Sequence, residues 1–223
     1  MGQLSITLII IIITCIVSIS AFSSQKIIDD LIFYPPAITQ RKQWYRFFTC
    51  GLIHADYGHL IFNMLSLYIF GEVVEDAFIL IFGEKGKLLY LLMYVAALFF
   101  CLLPTFAKHK NDYHYRSLGA SGAVSAVVFS GILFYPLMPM GLFFIPIYIA
   151  GFIFGFVYLL ISTWMEKSGG GNVNHSAHIY GALFGIACTI LFCRFFSDYP
   201  VVQHFIDAIK NVDPADLIKF GRN

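Results

Sequence analysis

Charged side chains are scarce in this chain of 223 residues. Asp, Glu, Lys and Arg together make up 12% of it, against about 25% in typical soluble domains. Hydrophobic residues account for 59%. This composition excludes an ordinary soluble protein and predicts an integral membrane protein whose surroundings are a lipid bilayer. The formal net charge of +1 provides no strong field for nucleic acid, so no nucleic-acid partner is predicted.

Cysteine motifs and an ordinary secretory leader are also lacking. The five cysteines form no CxxC pair and no zinc-site spacing, so the sequence predicts no metal and no cofactor. Residues 1–7 hold no Lys or Arg, and no small-residue cleavage site follows the first apolar run. We therefore expect that run to be a retained span rather than a signal peptide.

Long apolar stretches predict an all-α polytopic membrane protein with six spans in one domain, residues 1–223, because about 20 apolar residues cross the hydrocarbon layer. The predicted spans are about 4–22, 58–80, 87–106, 119–135, 141–165 and 176–196. The second span is expected to end in a charged turn with Glu72, Glu75 and Asp76. The polar C-terminal tail, 197–223, is expected to hold either a short amphipathic surface helix or a frayed end.

Residues 23–57 mix charged and aromatic side chains with two consecutive prolines. The mixture is too polar to span a membrane and too aromatic for a loose linker, which predicts a structured element at the membrane interface. Its Lys and Arg residues outnumber those of the N-terminus, which favours an outside N-terminus under the positive-inside rule. That rule is a bias, so charge alone leaves the orientation open.

Three groups of polar residues stand where spans 2, 4 and 6 begin, and a polar group in hydrocarbon needs a partner or a role. The groups are His54, His59 and Asn63; Ser121 within Gly119-Ala120-Ser121-Gly122; and His178. Alternate spans run in the same direction, so the three groups share one face of the membrane and a similar depth. His59 and Asn63 are four residues apart and lie on one helix face, and Asp56 is a candidate N-cap.

The converging residue types indicate nucleophilic catalysis. Ser121 is a candidate nucleophile, and His178 is the candidate general base that takes its proton. His59 and Asn63 suit an oxyanion site, together with the free backbone N–H groups where span 4 begins. Spans 4 and 6 hold no Asp or Glu, which predicts a Ser–His dyad rather than a triad. The GxSxG elbow is excluded because Ala123 replaces its last glycine.

Small residues at four-residue spacing predict close packing of spans 4 and 6. The strips are Gly122, Ala126 and Ser130 on span 4, and Ala177, Gly181 and Gly185 on span 6. Such packing would bring Ser121 and His178 within hydrogen-bond distance. Taken singly, each of these features is more often structural, as helix packing or a bond between helices, than catalytic.

Together and in this order, the motifs resemble those of rhomboid intramembrane serine proteases of the compact six-span bacterial form. The matching residues are Gly119-Ala120-Ser121-Gly122, His54-x4-His59-x3-Asn63, Ala177-His178-x2-Gly181-x3-Gly185, and Arg46 in Tyr45-Arg46-Phe47-Phe48-Thr49. The resemblance implies that Ser121 is the nucleophile and His178 the general base. It also implies an oxyanion hole of the Ser121 backbone N–H, His59 and Asn63, supported by His54.

The same resemblance implies cleavage of peptide bonds in or near the spans of membrane-protein substrates. It implies a membrane-embedded first loop at 23–57, a movable gate at span 5, and an N-terminus in the cytoplasm with the site opening outward from a bacterial inner membrane. Many members carry a tyrosine four residues after the nucleophile, packed against the histidine. Here Ser125 stands there, so Phe129 or Tyr180 is expected to orient His178.

Two other functions remain as alternatives. The first is a rhomboid-like protein that binds membrane-protein clients without cleaving them; retention of both Ser121 and His178 argues against it. The second is a transporter, which is expected to carry charged residues near the membrane midplane. Spans 4 to 6 contain no acidic residue, which disfavours this interpretation.

Overall fold

The computed structural model describes residues 4–141, 146–168 and 173–221. Its α-helices are α1 Ile6–Phe22, α2 Gln25–Leu31, α3 Pro35–Arg41, α4 Arg46–Thr49, α5 Tyr57–Phe82, α6 Gly86–Phe100, α7 Leu103–His109, α8 Ser121–Phe134, α9 Gly151–Ser168, α10 His175–Phe196 and α11 Val201–Lys210. Its strands are β1 Pro139–Gly141, β2 Ile147–Ala150 and β3 Ile218–Phe220. The mostly helical fold expected from the sequence is therefore confirmed.

Two helical stretches of the described residues are long and apolar enough to cross a membrane. They are Tyr57–His109, which holds α5 to α7 and a tight turn at Gly83–Lys85, and His175–Phe196. The helices α1 and α8 are apolar but shorter. The count of six spans stays a prediction.

Helix α8 lies at the centre of the fold and packs against α5, α6, α9 and α10. Every residue of α8 except Ser121 and Val128 is buried. With 14 residues the helix is about 21 Å long. The hydrocarbon layer is about 30 Å thick, so α8 is short enough for its N-terminal end to lie below a membrane surface.

The predicted charged turn at the end of span 2 is wrong, because α5 continues through Glu72, Glu75 and Asp76. Glu75 is only 2% exposed. Its carboxylate accepts hydrogen bonds from the backbone N–H groups of Ile6 at 2.8 Å and Thr7 at 2.9 Å. These N–H groups have no partner within their own first helical turn, so Glu75 caps α1 and ties it to α5.

Two predicted span boundaries also differ. Span 3 was expected to continue to residue 106, but α6 ends at Phe100 and a separate helix, α7, follows with a proline in its first turn. Proline is tolerated there because its missing N–H would have no acceptor. Span 5 was expected from residue 141, but α9 begins at Gly151. Residues 147–150 form β2, and residues 142–145 of the predicted span lie outside the described residues.

The all-α prediction also missed a small antiparallel sheet in the order β1-β2-β3. The N–H of Ala150 donates to the carbonyl of Leu217 at 3.0 Å, and the N–H of Gly221 donates to the carbonyl of Pro146 at 2.9 Å. The C-terminal tail therefore closes on the segment that leads into α9. Of the two alternatives for this tail, the structure shows the amphipathic helix, α11.

Residues 23–57 form a structured element built from α2, α3 and α4. The ring of Phe47 is fully buried, with centroids 5.3 Å from Phe33 and 4.7 Å from Phe99 on α6. Aromatic packing at these distances fixes the segment against the helical bundle. Its place inside the membrane stays a prediction.

Candidate active site

Ser121 and His178 meet at the N-terminal ends of two neighbouring helices. Ser121 is the first residue of α8, and His178 is the fourth of α10. The Nε2 atom of His178 and the Oγ atom of Ser121 are 2.7 Å apart, although the residues are 57 apart in sequence. The start of α10 is fixed by Asn174, whose side chain accepts a hydrogen bond from the N–H of Ala177 at 3.0 Å. The structure thus brings the candidate nucleophile and base into contact.

The two small-residue strips place the backbones of α8 and α10 against each other. A Cβ atom added at Gly181 would lie 2.0 Å from the carbonyl oxygen of Gly122, and one at Gly185 would lie 2.2 Å from that of Ala126. No side chain fits at either distance. One turn further along, the Oγ atom of Ser130 is 2.7 Å from the Oγ1 atom of Thr189.

Gly122 is enclosed from two sides. A Cβ atom there would lie 2.5 Å from the sulfur of Cys101 and 3.2 Å from the carbonyl oxygen of Ala177. Ala177 itself is buried. The residue after Ser121 therefore has room for a hydrogen atom only, which fixes the nucleophile's backbone between α6 and α10.

Gly119 allows His59 to approach the backbone just ahead of Ser121. Its φ is +113°, and a Cβ atom would lie 2.7 Å from the Cε1 atom of His59. Side chains other than glycine rarely adopt this φ, and here they would also collide with the imidazole. The N–H of Gly119 donates to the carbonyl of Cys50 at 2.9 Å, which holds this turn against the first loop.

His54 supports the same turn from the other side and is 1% exposed. The N–H of Ala120 donates to its Nε2 atom at 3.4 Å, so we assign the proton to Nδ1. Nδ1 then donates to the Oγ atom of Ser18 at 2.9 Å, and Ser18 donates to the carbonyl of Leu52 at 2.8 Å. This chain of hydrogen bonds fixes the residue before Ser121. Ser18 on α1 was not identified from the sequence.

Asn63 is 3% exposed and lies one turn after His59 on α5. Its side-chain N–H donates to the carbonyl of His59 at 2.9 Å. That bond uses one of its two amide N–H donors and leaves the second for another acceptor. Asp56 caps the helix, since its carboxylate accepts from the N–H of His59 at 2.8 Å, as the sequence predicted.

Arg46 is a structural residue of the first loop in this arrangement. The residue is 6% exposed, and its guanidinium donates to the carbonyls of Asp29 and Ile32, both at 2.8 Å. Its Nε atom donates to the side chain of Gln43 at 2.7 Å. These bonds join the end of α2 to the start of α4, so Arg46 shapes the loop that packs beneath the site.

Neither aromatic residue expected to orient His178 does so. Tyr180 is 44% exposed, and the ring of Phe129 packs instead on Tyr158, with centroids 5.7 Å apart. Tyr158 of α9 stacks on His178 with a centroid distance of 6.4 Å and an interplanar angle of 25°. Its hydroxyl is 3.1 Å from the Oγ atom of Ser125. The sequence did carry one signal for Tyr158: its phenol hydroxyl lies inside an apolar span, where it needs a hydrogen-bond partner.

A polar cavity of about 200 Å³ lies one turn before His178. It is lined in part by Asn174, His175, Tyr115, Lys108 and Glu166. Among the described residues, the Asn174 side-chain nitrogen and both ring nitrogens of His175 have no hydrogen-bond partner. Burial raises the pKa of Tyr115 to about 12, so its hydroxyl stays protonated at neutral pH. The cavity is therefore lined by polar side chains, and one of them, His175, has its ring centroid 5.9 Å from that of His178.

Metal ligands are not grouped in the part of the chain that the structure describes. There, no cluster of three or more His, Cys, Asp or Glu side chains is suited to a metal ion. The chemistry available at Ser121 is that of a hydroxyl, an imidazole and hydrogen-bond donors.

Comparisons with known proteins agree with these features. A family model for the Rhomboid domain matches residues 41–195. Rhomboid-like protein 15 of Arabidopsis thaliana is 30% identical over 173 residues, which cover 71% of this chain and 39% of the relative. Rhomboid-like protein 11, chloroplastic, from the same plant is 31% identical over 163 residues, which cover 68% of this chain and 54% of the relative. RHOMBOID-like protein 12, mitochondrial, also from Arabidopsis thaliana, is 30% identical over 147 residues, which cover 60% of this chain and 42% of the relative. The matched part thus spans about half or less of each relative.

Proposed function

This chain belongs to the rhomboid family, and we propose that it is an intramembrane serine endopeptidase. Its substrates are membrane proteins, cleaved at a peptide bond in or near a membrane span. The observation that carries the proposal is the 2.7 Å contact between Ser121 Oγ and His178 Nε2 at the N-terminal end of a short central helix.

The first half of the reaction forms an acyl-enzyme. His178 Nε2 accepts the proton of Ser121 as Oγ attacks the carbonyl carbon of the scissile bond. The bond to nitrogen then breaks, and His178 returns the proton to the leaving amine. Spans 4 and 6 provide no acid beside His178, so the two residues act as a dyad.

Charge on the substrate oxygen is stabilised by hydrogen-bond donors at the helix start. The N–H of Ser121 has no acceptor within α8 because it belongs to the first turn. His59, beside Gly119, and the second N–H of Asn63 complete the oxyanion hole. His54 keeps the preceding peptide in place through Ala120. Donors that are fixed in advance stabilise the transition state more than flexible ones.

Hydrolysis of the acyl-enzyme needs water, which is scarce in hydrocarbon. The cavity beside His175 has a volume of about 200 Å³ and a lining that includes Lys108, Glu166 and Asn174. A polar space of this size has room for a few water molecules, each occupying about 30 Å³ of liquid volume. We assign this cavity as the water supply, with His178 as the base that activates the attacking molecule.

Full-length protein in liposomes, mixed with a single-span substrate, tests the proposal. Ser121→Ala should abolish cleavage and labelling by a fluorophosphonate probe, and His178→Ala should be about as severe because dyad members act as a unit. Ser130→Ala, on the same helix but away from the site, is the matched control and should keep labelling. Cleavage by Ser121→Ala at the wild-type rate would exclude the dyad.

The alternative function is binding of membrane-protein clients without cleavage. It predicts that folded wild-type protein captures such clients but is not labelled by the probe. Labelling that depends on Ser121 separates the two functions, whichever membrane protein is the substrate.

The orientation we propose places the N-terminus in the cytoplasm and the site toward the outer side. It follows the family resemblance, while the Lys and Arg counts of residues 23–57 favour the opposite. Six spans put both termini on one side, so a C-terminal fluorescent-protein fusion should fluoresce in a bacterial host. An alkaline phosphatase fusion at the same place that proved active would show that the orientation is the opposite one.

A further inference from the structure

One aromatic ring covers the imidazole of the base, and it comes from α9 rather than from α8 or α10. The ring of Tyr158 lies 6.4 Å from that of His178, inclined by 25°. Both values are within the range of offset stacking between rings. Twenty residues separate the two in sequence, so the contact depends on how α9 docks.

The opposite end of Tyr158 is tied to the helix that carries the nucleophile. Its hydroxyl is 3.1 Å from the Oγ atom of Ser125, which lies one turn after Ser121 on α8. Phe129 packs on the ring with centroids 5.7 Å apart, and Phe154 stacks on it at 6.4 Å. One side chain of α9 therefore contacts both helices of the dyad.

His178 has little else to fix its orientation. Nε2 faces Ser121. Across residues 4–141, 146–168 and 173–221, no carboxylate hydrogen-bonds to Nδ1, the position where a triad would hold the ring. The remaining ring contact is edge-on, with His175 at 5.9 Å. Besides the hydrogen bond to Ser121, the stacked ring is then the main restraint on the orientation of the imidazole.

We infer that Tyr158 is the positioning residue for His178, and that docking of α9 sets the alignment of the dyad. The inference rests on the proposed function. Only small residues of α9 are buried, namely Gly151, Gly155 and Ser162, so this helix is held mainly by its larger, partly buried side chains. When α9 moves away, the ring leaves His178, and Ser121 loses an aligned base.

Substitutions that remove the ring or only its hydroxyl test the inference in full-length protein in liposomes. Tyr158→Leu should lower kcat about 10- to 100-fold, the range expected for misplaced catalytic groups, with KM within twofold. Tyr158→Phe keeps the ring and should stay within about threefold of wild type, since a single hydrogen bond between helices is weak. Tyr180→Leu, an exposed aromatic residue on α10, is the control and should leave kcat unchanged.

Nuclear magnetic resonance provides a readout that does not need activity. In protein with labelled histidine, the Hε1 signal of His178 should carry a ring-current shift that disappears in Tyr158→Leu and remains in Tyr158→Phe. His178→Ala assigns the signal. Loss of this shift checks that the ring of Tyr158 lies on His178. A role in packing alone would lower thermal stability and leave kcat as in wild type.

The role of α9 is tested by pushing the helix outward without changing Tyr158. A Cβ atom at Gly155 would lie 3.0 Å from Ile132 Cδ1 and 3.2 Å from Phe129, so Gly155→Leu should displace α9. It should lower kcat and reduce the ring-current shift together. Phe156→Leu, on the exposed face of the same helix, should change neither.

The two proposals fail in different ways. Wild-type protein that neither cleaves nor labels would overturn the proposed function, and the inference with it. Wild-type protein that cleaves, while Tyr158→Leu retains wild-type kcat, would overturn the inference alone.

Discussion

Two of the helices that pack against α8, α9 and α10, meet it in different ways. Helix α10 meets it through the backbone, because Gly181 and Gly185 leave no room for a side chain between the helices. Helix α9 meets it through side chains, with the hydroxyl of Tyr158 on Ser125 and its ring among other aromatic rings. The first interface holds Ser121 against His178, and the second holds the ring that covers His178.

This difference separates a fixed part of the site from an adjustable part. Two backbones in contact cannot shift without moving a whole helix, since protein interiors are close-packed. Side chains can repack by changing rotamer. Substitutions between α8 and α10 should therefore act mainly on folding, and those between α8 and α9 mainly on catalysis.

The largest effect is expected from a methyl group placed between α8 and α10. In Gly185→Ala the new Cβ would lie 2.2 Å from the carbonyl oxygen of Ala126, which cannot move aside. We expect the free energy of unfolding to fall by about 3 kcal/mol, the upper range for overpacking, or the protein to fail to fold. Thermal unfolding in detergent micelles measures it.

The matched substitution on α9 is Gly155→Ala. Its Cβ would meet the side-chain ends of Ile132 and Phe129 at 3.0 and 3.2 Å, and these can shift. Alanine also favours a helix over glycine by about 1 kcal/mol, so little net change is expected. Equal melting temperatures for the two variants would contradict the backbone contact at Gly185.

A smaller loss is expected at the turn before the nucleophile. Gly119→Ala combines an unfavourable φ of +113° with a collision against His59. Together these should destabilise the protein by about 2 to 3 kcal/mol and lower the rate of probe labelling at Ser121. Labelling and unfolding are measured on the same preparation.

Gly83→Ala separates the two causes. Gly83 has a φ of +59°, but nothing lies within 4 Å of its added Cβ. Gly83→Ala should lower the free energy of unfolding by about 1 to 2 kcal/mol through backbone strain alone, and probe labelling at Ser121 should stay normal. If Gly119→Ala labels as fast as Gly83→Ala, His59 is not restrained by the turn.

The fixed part of the site could largely be predicted from the sequence. Ser121, His178 and His59 each lie within two turns of a helix start. The six-span prediction makes alternate spans parallel, so local pattern and predicted topology placed the three residues together. Four-residue spacing of small residues likewise indicated which faces of α8 and α10 meet. Both kinds of signal lie within single helices.

The adjustable part could not be predicted, because it depends on contacts between distant segments. Tyr158 lies in an apolar helix, and the residue pattern of that helix has no periodicity that would identify its inward face. Glu75 looked like a turn residue, since its partners are N–H groups of α1 that no side-chain pattern identifies. The pairing of β2 with β3 joins the start of α9 to the C-terminal tail, and no local motif specifies it.

A hydroxyl pair tests the fixed interface one turn beyond the glycines. Ser130 and Thr189 are fully buried with their hydroxyl oxygens 2.7 Å apart. Ser130→Ala should destabilise by about 1 kcal/mol because Thr189 loses its oxygen partner. Thr189→Val in the same protein should recover most of that loss. A double-mutant cycle measures the coupling, and a coupling near zero would contradict the bond.

The most local effect, and the smallest on the site itself, is expected where the tail meets α9. A chain ending at Asn211 lacks β3 and loses the bonds from Ala150 and Gly221. The β3 side chains are exposed, so only backbone hydrogen bonds are lost, about 1 kcal/mol each. Hydrogen exchange should therefore quicken in residues 147–150 and stay unchanged in α8 and α10.

The control for the shortened chain is Lys219→Ala, which keeps the backbone of β3. It removes only an exposed ion pair with Asp216, so exchange in residues 147–150 should stay at the wild-type rate. Because α9 carries Tyr158, the shortened chain should also show a modest fall in kcat that the control does not. Faster exchange in α8 would instead mean that the tail supports the fixed interface, and that the two parts of the site are not separate.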